Sequence, residues 1–190
     1  MRSSKKFKAN EANRPKQKAT FGFSLIETLV AIAILSLAIA GPLSVISHGI
    51  TSAIFAKDEI TAMYLAQEGI EAVRNTRDGN VLAGVAWLAT LDACENVDCG
   101  ARFEPSSEAL GIKACTAMFS TGCLLNYNSA RGLYNHESTA SDNAPSRFTR
   151  TIRIVPNVNG HEATVQVTVL WTSTVTTHSF TVVENLLNWQ

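Results

Sequence analysis

Gly22-Phe23-Ser24-Leu25-Ile26-Glu27 is the part of this 190-residue chain whose residue types and spacing carry chemistry. A peptidase cutting beside a membrane needs an accessible bond and a small residue at the cut. Gly22 offers no side chain to clash, and hydrolysis after it frees the amine of Phe23. Glu27 lies four residues further on, at the head of a run from Thr28 to Ala56 that holds no Asp, Glu, Lys or Arg. A charge inside a membrane helix costs about 2.5–3.5 kcal/mol at the helix centre and less near the interface. A plain anchor has no use for such a carboxylate, so Glu27 reads as a functional residue. The blander reading is that it complements the positive end of the helix macrodipole.

No other residues assemble a site. Cys94, Cys99, Cys115 and Cys123 are spaced C-x4-C and C-x7-C, unlike the paired C-x2-C of zinc ribbons, and no histidine cluster accompanies them. All four lie beyond the apolar run, which in an exported domain makes them structural bridges rather than metal or redox groups. Four cysteines allow three pairings; the sequence-local one, Cys94 with Cys99 and Cys115 with Cys123, is preferred because each bridge pins a small loop. His48, His136, His161 and His178 are scattered and read as surface or membrane-proximal residues. Gly22-Phe23-Ser24-Leu25-Ile26 is no nucleophile elbow, since its fifth residue is not glycine. There is no phosphate-binding glycine loop, and Asp142 with Asn143 is too small an oxygen set to hold calcium. The expectation is a protein that is not an enzyme, with no metal, cofactor or small-molecule substrate.

The formal net charge of zero hides an asymmetry: residues 1–22 carry +6 and the remainder −6. A basic flank before an apolar span stays in the cytoplasm and directs the C-terminal portion outward. A nucleic-acid arm is the other use of such a flank, but no aromatic platform is interleaved with it. The charge-free run exceeds the ~20 residues that cross a bilayer and the ~7–15 of a signal-peptide core. The expected domains are a basic leader (1–22), a membrane-spanning half-helix (23–56) and an exported head (57–190).

The Ala-, Ile- and Leu-rich composition from Phe23 favours one long helix, with a kink or local melting at Gly41-Pro42. Past Lys57-Asp58-Glu59 it turns amphipathic: Ile60, Met63, Tyr64, Ile70 and Val73 form an apolar stripe, and Gly69 either weakens the helix or lets a strand come close. Arg77-Asp78-Gly79-Asn80 predicts its end near Asn75. Residues 81–93 read as a short helix or helical loop around Trp87, Leu88 and Leu91. Short strands are expected at 111–115 and 123–127, a turn at 129–132, and a polar loop over 136–146. From about 147 the pattern is clear: Phe148, Ile152 and Ile154 alternate, Asn159-Gly160 marks a hairpin, and Ala163, Val165, Val167, Val169 and Trp171 alternate on a second strand. A third strand over 175–183, with Phe180 and Val182 on one face, completes an antiparallel meander. Such a sheet needs a helix over its apolar face, so the fold class is α+β.

Gly22, Phe23 and Glu27, with the basic leader and the apolar run, resemble the N-terminal signal of the type IV pilin and type II secretion pseudopilin superfamily. The resemblance covers residues 22 to about 50. It implies that prepilin peptidase cuts Gly22–Phe23 and N-methylates Phe23, and that Glu27 pairs with the Phe23 ammonium of a neighbouring subunit. It implies a pilin-like fold, a long helix on an antiparallel sheet, and as partners other pilin subunits, the peptidase, an assembly platform and the membrane. The place is the bacterial inner membrane, crossed once with the head outside, and then an extracellular filament. Tyr64-Leu65-Ala66-Gln67-Glu68-Gly69-Ile70-Glu71 and Arg150-Thr151-Ile152-Arg153, followed by a strand ending at Trp171, are similar to the minor pilins called PilV and to I-type pseudopilins. The function implied is a minor pilin; the alternatives are a pseudopilin or a domain outside any filament. Ala38-Ile39-Ala40 has the form of a signal-peptidase site whose use would release a soluble protein from Gly41.

Overall fold

The computed structural model describes residues 22–102, 111–115, 122–136, 142–173 and 176–188. The expected leader falls outside them except for Gly22, as do residues 137–141 of the expected polar loop. The chain divides into two compact units, residues 1–49 and 50–190.

In the first unit, Gly22–Ser24 are non-helical and α1 (Leu25–Leu82) begins. The hydroxyls of the apolar run turn back on the helix: Thr28 Oγ1 donates to the Leu25 carbonyl at 2.8 Å, and Ser36 and Ser47 Oγ to those of Ile32 and Leu43 at 2.8 and 3.0 Å. This satisfies polar groups that have no water partner in a bilayer. Pro42 lies inside the helix, so the expected melting does not occur. Proline deletes one backbone donor, and its helix-forming neighbours maintain the turns on either side.

In the second unit α1 continues to Leu82 rather than ending near Asn75. The stop is Gly84, at φ +69°. Its N–H donates to the Val81 carbonyl at 3.1 Å and that of Val85 to the Asn80 carbonyl at 3.1 Å, a Schellman motif built on a left-handed glycine. The turn-forming pair Gly79-Asn80 is absorbed into the helix because the Asn80 amide is buried and donates to the Trp87 carbonyl at 3.0 Å. Residues 85–91 form turns, not a helix, and lead to a 3-10 turn at Asp92–Cys94; Trp87 and Leu91 in this stretch are buried.

Beyond this turn the described chain forms seven antiparallel strands: β1 (Cys99–Arg102), β2 (Gly111–Ala114), β3 (Leu124–Asn128), β4 (Leu133–Asn135), β5 (Asn143–Pro156), β6 (Glu162–Thr172) and β7 (Thr177–Leu187). The predicted meander is β5-β6-β7, with Ile152 opposite Val167 and Val167 opposite Val182. β5 starts earlier than 147 because its first residues pair with β3. Thr149 faces both Leu170 of β6 and Leu124 of β3, so β5 uses both edges and is the centre of the sheet. β1 had no sequence signal; it is four residues that pair with β2 and touch β5 at Cys99–Ile152.

The helix face over this sheet keeps Ile70 and Val73 of the predicted stripe but not Ile60 or Tyr64. Ala62, Leu65, Ala66, Gly69, Ile70, Ala72 and Val73 are buried, whereas Ile60 and Tyr64 are 53% and 63% exposed. Small residues decide this. A Cβ on Gly69 would stand 2.8 Å from Val167 Cγ1, so β6 lies against the helix backbone itself. Three ion pairs tie the helix to the sheet: Asp58–Arg147 (2.8 Å), Glu68–Arg150 (2.8 Å) and Arg74–Glu184 (2.6 Å). Arg150 is 1% exposed and also donates to the Leu65 carbonyl at 3.2 Å and the Ala101 carbonyl at 3.3 Å. Burial lowers its pKa and Glu68 opposes that shift. The Glu184 carboxylate raises the pKa of Arg74, which is far more exposed.

Two glycines in one helix therefore respond oppositely to the same change. Gly69→Ala is expected to destabilise the protein by about 1–3 kcal/mol through overpacking, whereas Gly79→Ala, exposed with open space around it, stabilises by about 0.5–1 kcal/mol. Urea unfolding of the full chain in detergent, followed by circular dichroism, reads both. For the Glu68–Arg150 pair, in which Glu68 is 38% exposed, Glu68→Gln leaves the buried guanidinium its two carbonyl acceptors and costs about 1–3 kcal/mol. Arg150→Met removes that charge, leaves Glu68 to solvent, and is the milder change by the same unfolding measurement.

Candidate functional site

The residues with chemical potential at the N-terminus occupy the start of α1. The Glu27 and Thr28 N–H groups donate to the Ser24 carbonyl at 3.0 and 3.2 Å, so Ser24 stands at the N-cap and Glu27 three residues inside, the spacing of a capping box. Glu27 thus lies among the unpaired N–H groups of the first turn, where a negative charge is favoured. Among the described residues it has no ion pair. Phe23 is 82% exposed and Gly22 has open space about its Cα. The Gly22–Phe23 bond therefore lies in uncrowded, non-helical chain one residue before the helix cap.

Every residue from Gly22 to Lys57 is exposed, among them Leu25, Leu37 and Val45 at more than 70%. Soluble monomers rarely expose contiguous apolar patches above a few hundred Å², and here a whole helix circumference is apolar. α1 is long and apolar enough to cross a membrane, and none of its most apolar stretch is buried.

The cysteines lie in the second unit. Cys94 is bridged to Cys99 and Cys115 to Cys123, with Cα atoms 5.6 and 5.2 Å apart. The first bridge closes a loop that reaches the sheet through Asn96, whose N–H donates to the Ile154 carbonyl at 3.0 Å. The second ties the end of β2 to the start of β3. Asp142 and Asn143 are engaged in hairpin joints: the Asp142 carbonyl accepts the Ser129 N–H at 3.1 Å, and Asn143 Oδ1 accepts from Asn128 Nδ2 at 2.8 Å. Among the described residues no group of three or more His, Cys, Asp or Glu is placed to hold a metal ion.

One histidine, His136, departs from expectation, and a second, His178, makes a specific ring contact. His136 is buried, its Nδ1 3.2 Å from the Leu124 carbonyl, because β4 folds it over β3. His178 stacks on Trp171 at 5.5 Å between ring centroids. Both depend on strand pairing across the sheet, which local sequence does not encode. Tyr134 is a third group of this kind; burial, then the neighbouring Tyr127, raises its pKa.

An exposed apolar helix, long enough to cross a membrane, thus begins just after an uncrowded glycine bond and leads into an α+β head. Residues 17–41 match the family model described as the prokaryotic N-terminal methylation motif, the signal of type IV pilins and pseudopilins, which are structural proteins. The chain carries that signal, with Gly22, Phe23 and Glu27 inside the match. No curated protein and no solved structure matches the chain.

Peptide mapping without reduction is expected to recover the Cys94–Cys99 and Cys115–Cys123 linked pairs. Replacing both Cys94 and Cys99 by serine should cost about 2 kcal/mol on a chain-entropy estimate for so short a loop, read as a lowered urea midpoint.

Proposed function

We propose that this chain is a minor pilin: a structural subunit of a type IV pilus-like filament, made as a membrane-anchored precursor. The observation that carries the reading is the methylation motif at residues 17–41 running into a helix exposed on all sides to Lys57. In this reading the basic leader stays in the cytoplasm, residues 23–56 cross the inner membrane once and the head stands outside. Prepilin peptidase hydrolyses Gly22–Phe23 and methylates the new Phe23 amine. The assembly platform then moves the subunit from bilayer to filament, where residues 23–56 pack against the same segment of neighbouring subunits.

Glu27 sets the register of that packing. Once the helix leaves lipid for a bundle, its carboxylate and the Phe23 ammonium of a neighbour are both poorly solvated, and pairing relieves both. The same carboxylate lies in the first turn of its own helix, so the two uses do not conflict. For the minor-pilin subclass, the two segments that resemble PilV-type proteins meet in the fold: Glu68 from Tyr64–Glu71 holds Arg150 from Arg150–Arg153 at 2.8 Å. I-type pseudopilins share those segments, and a secretion filament is the alternative reading.

Mass spectrometry of the mature N-terminus, from cells containing the cognate peptidase, is expected to find N-methyl-Phe23. A terminus at Gly41 or an uncut leader overturns the proposal. Glu27→Gln should be processed normally yet enter filaments poorly, because one partner of a buried pair worth about 3–5 kcal/mol on removal is gone. Deleting the chain separates the subclasses: a minor pilin depletes pili, and a pseudopilin blocks protein secretion.

A further inference from the structure

A cleft in the second unit, about 780 Å³ in volume, is lined by the last turns of the charge-free run on α1 and by the β6–β7 hairpin. Its size falls in the range of small-molecule sites. Phe55 and Trp171 both pack on His178, with ring centroids 4.9 and 5.5 Å away, and Phe55 remains 41% exposed. Asp58 and Arg147 face each other across 2.8 Å; the Asp58 side chain is 11% exposed and that of Arg147 52%. Thr172 adds a hydroxyl. Trp171 is 3% exposed, and its indole Nε1–H is buried with no hydrogen-bond partner among the described residues. A buried donor without an acceptor costs about 1–3 kcal/mol.

The charges define the ligand. Asp58 and Arg147 are the fully charged lining groups, one of each sign, with His178 the remaining titratable one. A simple anion at Arg147 must also face Asp58, and a simple cation at Asp58 must face Arg147. A ligand carrying both charges meets each with its opposite. Aromatic faces favour an ammonium, and the guanidinium favours phosphate oxygens. Location supplies the source. Phe55 is the last residue but one of the charge-free run and Asp58 is the first acid after it, which puts the cleft, on the membrane-anchored reading above, at the level of lipid headgroups, where Trp is enriched.

We propose that this cleft binds the zwitterionic headgroup of a phospholipid of the phosphatidylethanolamine type. The ammonium lies among Phe55, His178 and Asp58, and the phosphate accepts from Arg147, with the Trp171 ring as the neighbouring wall. The inference rests on the anchored-precursor reading for its lipid source, and on the cleft alone for its chemistry.

The test is a titration of the ¹⁵N-labelled full chain in dodecyl maltoside micelles with dihexanoyl phosphatidylethanolamine, following the indole N–H signals of its three tryptophans. The Trp171 signal is identified as the one lost in Trp171→Phe. It should shift and saturate while the Trp87 signal stays in place. Phe55→Ala should weaken binding about fivefold and Arg147→Gln about tenfold, with the Trp87 signal unchanged as the check that the head is still folded. Equal response to dihexanoyl phosphatidylglycerol or inorganic phosphate would make this a plain anion site, and a response to maltose a sugar site. Either result, no saturable shift, or parental affinity in both folded variants overturns the proposal. Flotation with vesicles separates the two readings. A chain that binds the short-chain lipid but does not float keeps the site and loses the anchor. One that floats without the indole shift loses the site alone.

Discussion

The head depends on one close approach, β6 against the backbone of α1 at Gly69. With Val167 Cγ1 only 2.8 Å from where a Cβ would stand, no helix side chain intervenes and the Val167 side chain meets the helix backbone. The stripe of Ala62, Ala66, Gly69 and Ala72 reflects the same constraint, since larger residues would hold the two layers apart. Arg150 occupies the space beside this contact, its Cδ 3.4 Å from the same imagined Cβ. Its guanidinium reaches Glu68, the Leu65 carbonyl and the Ala101 carbonyl, and so joins α1, β5 and β1. Desolvation of a buried guanidinium offsets most of what the Glu68 pair contributes. The remaining contribution is alignment: the fork meets these three acceptors at one position of the helix along the sheet.

That arrangement explains which parts of the fold are legible in the sequence. β6 is plain, because Ala163, Val165, Val167, Val169 and Trp171 alternate without exception and all five are buried. The helix stripe is misread when hydrophobicity is the guide to burial. The large Ile60 and Tyr64 outweigh alanines on paper, yet packing distance favours the alanines. Arg150 is hidden for a related reason. Between Phe148 and Ile152 it falls on the core face of β5 by simple alternation, but a charge at such a position reads as an interruption. The helix end is displaced by a stronger-looking signal. Asp78-Gly79-Asn80 has turn composition, but the hydrogen-bond partners of the buried Asn80 lie seven and ten residues away. Gly84, which stops the helix, has no distinguishing neighbours.

The N-terminal site is the most legible of all, because its information is local. A glycine, a phenylalanine, a carboxylate four residues on and a change from basic to apolar sequence lie within a few residues of one another, and no tertiary contact is needed to interpret them. The cleft over Trp171 is the opposite case. Phe55, Asp58, Arg147, Trp171 and His178 come from segments far apart in the chain, and only the pairing of β5, β6 and β7 under α1 brings them together.

One helix thus carries two incompatible solvent requirements, and the sequence changes from one to the other within a few residues. Through Lys57 every residue of α1 is exposed and the run before it is uncharged; from Asp58 one face is buried on the sheet. The first buried residue is itself charged and paired to β5. The buried core accordingly begins at Ala62, after the apolar run has ended, and Phe55 near the end of that run touches it from outside through Trp171. On the filament reading proposed above, the exposed run takes its stability first from lipid tails and then from the like segments of other subunits. On that reading both environments are apolar, so transfer from one to the other changes little in the hydrophobic term, and the charges flanking the run, Glu27 at its start and Asp58 with Arg147 beyond it, are the groups whose surroundings change most.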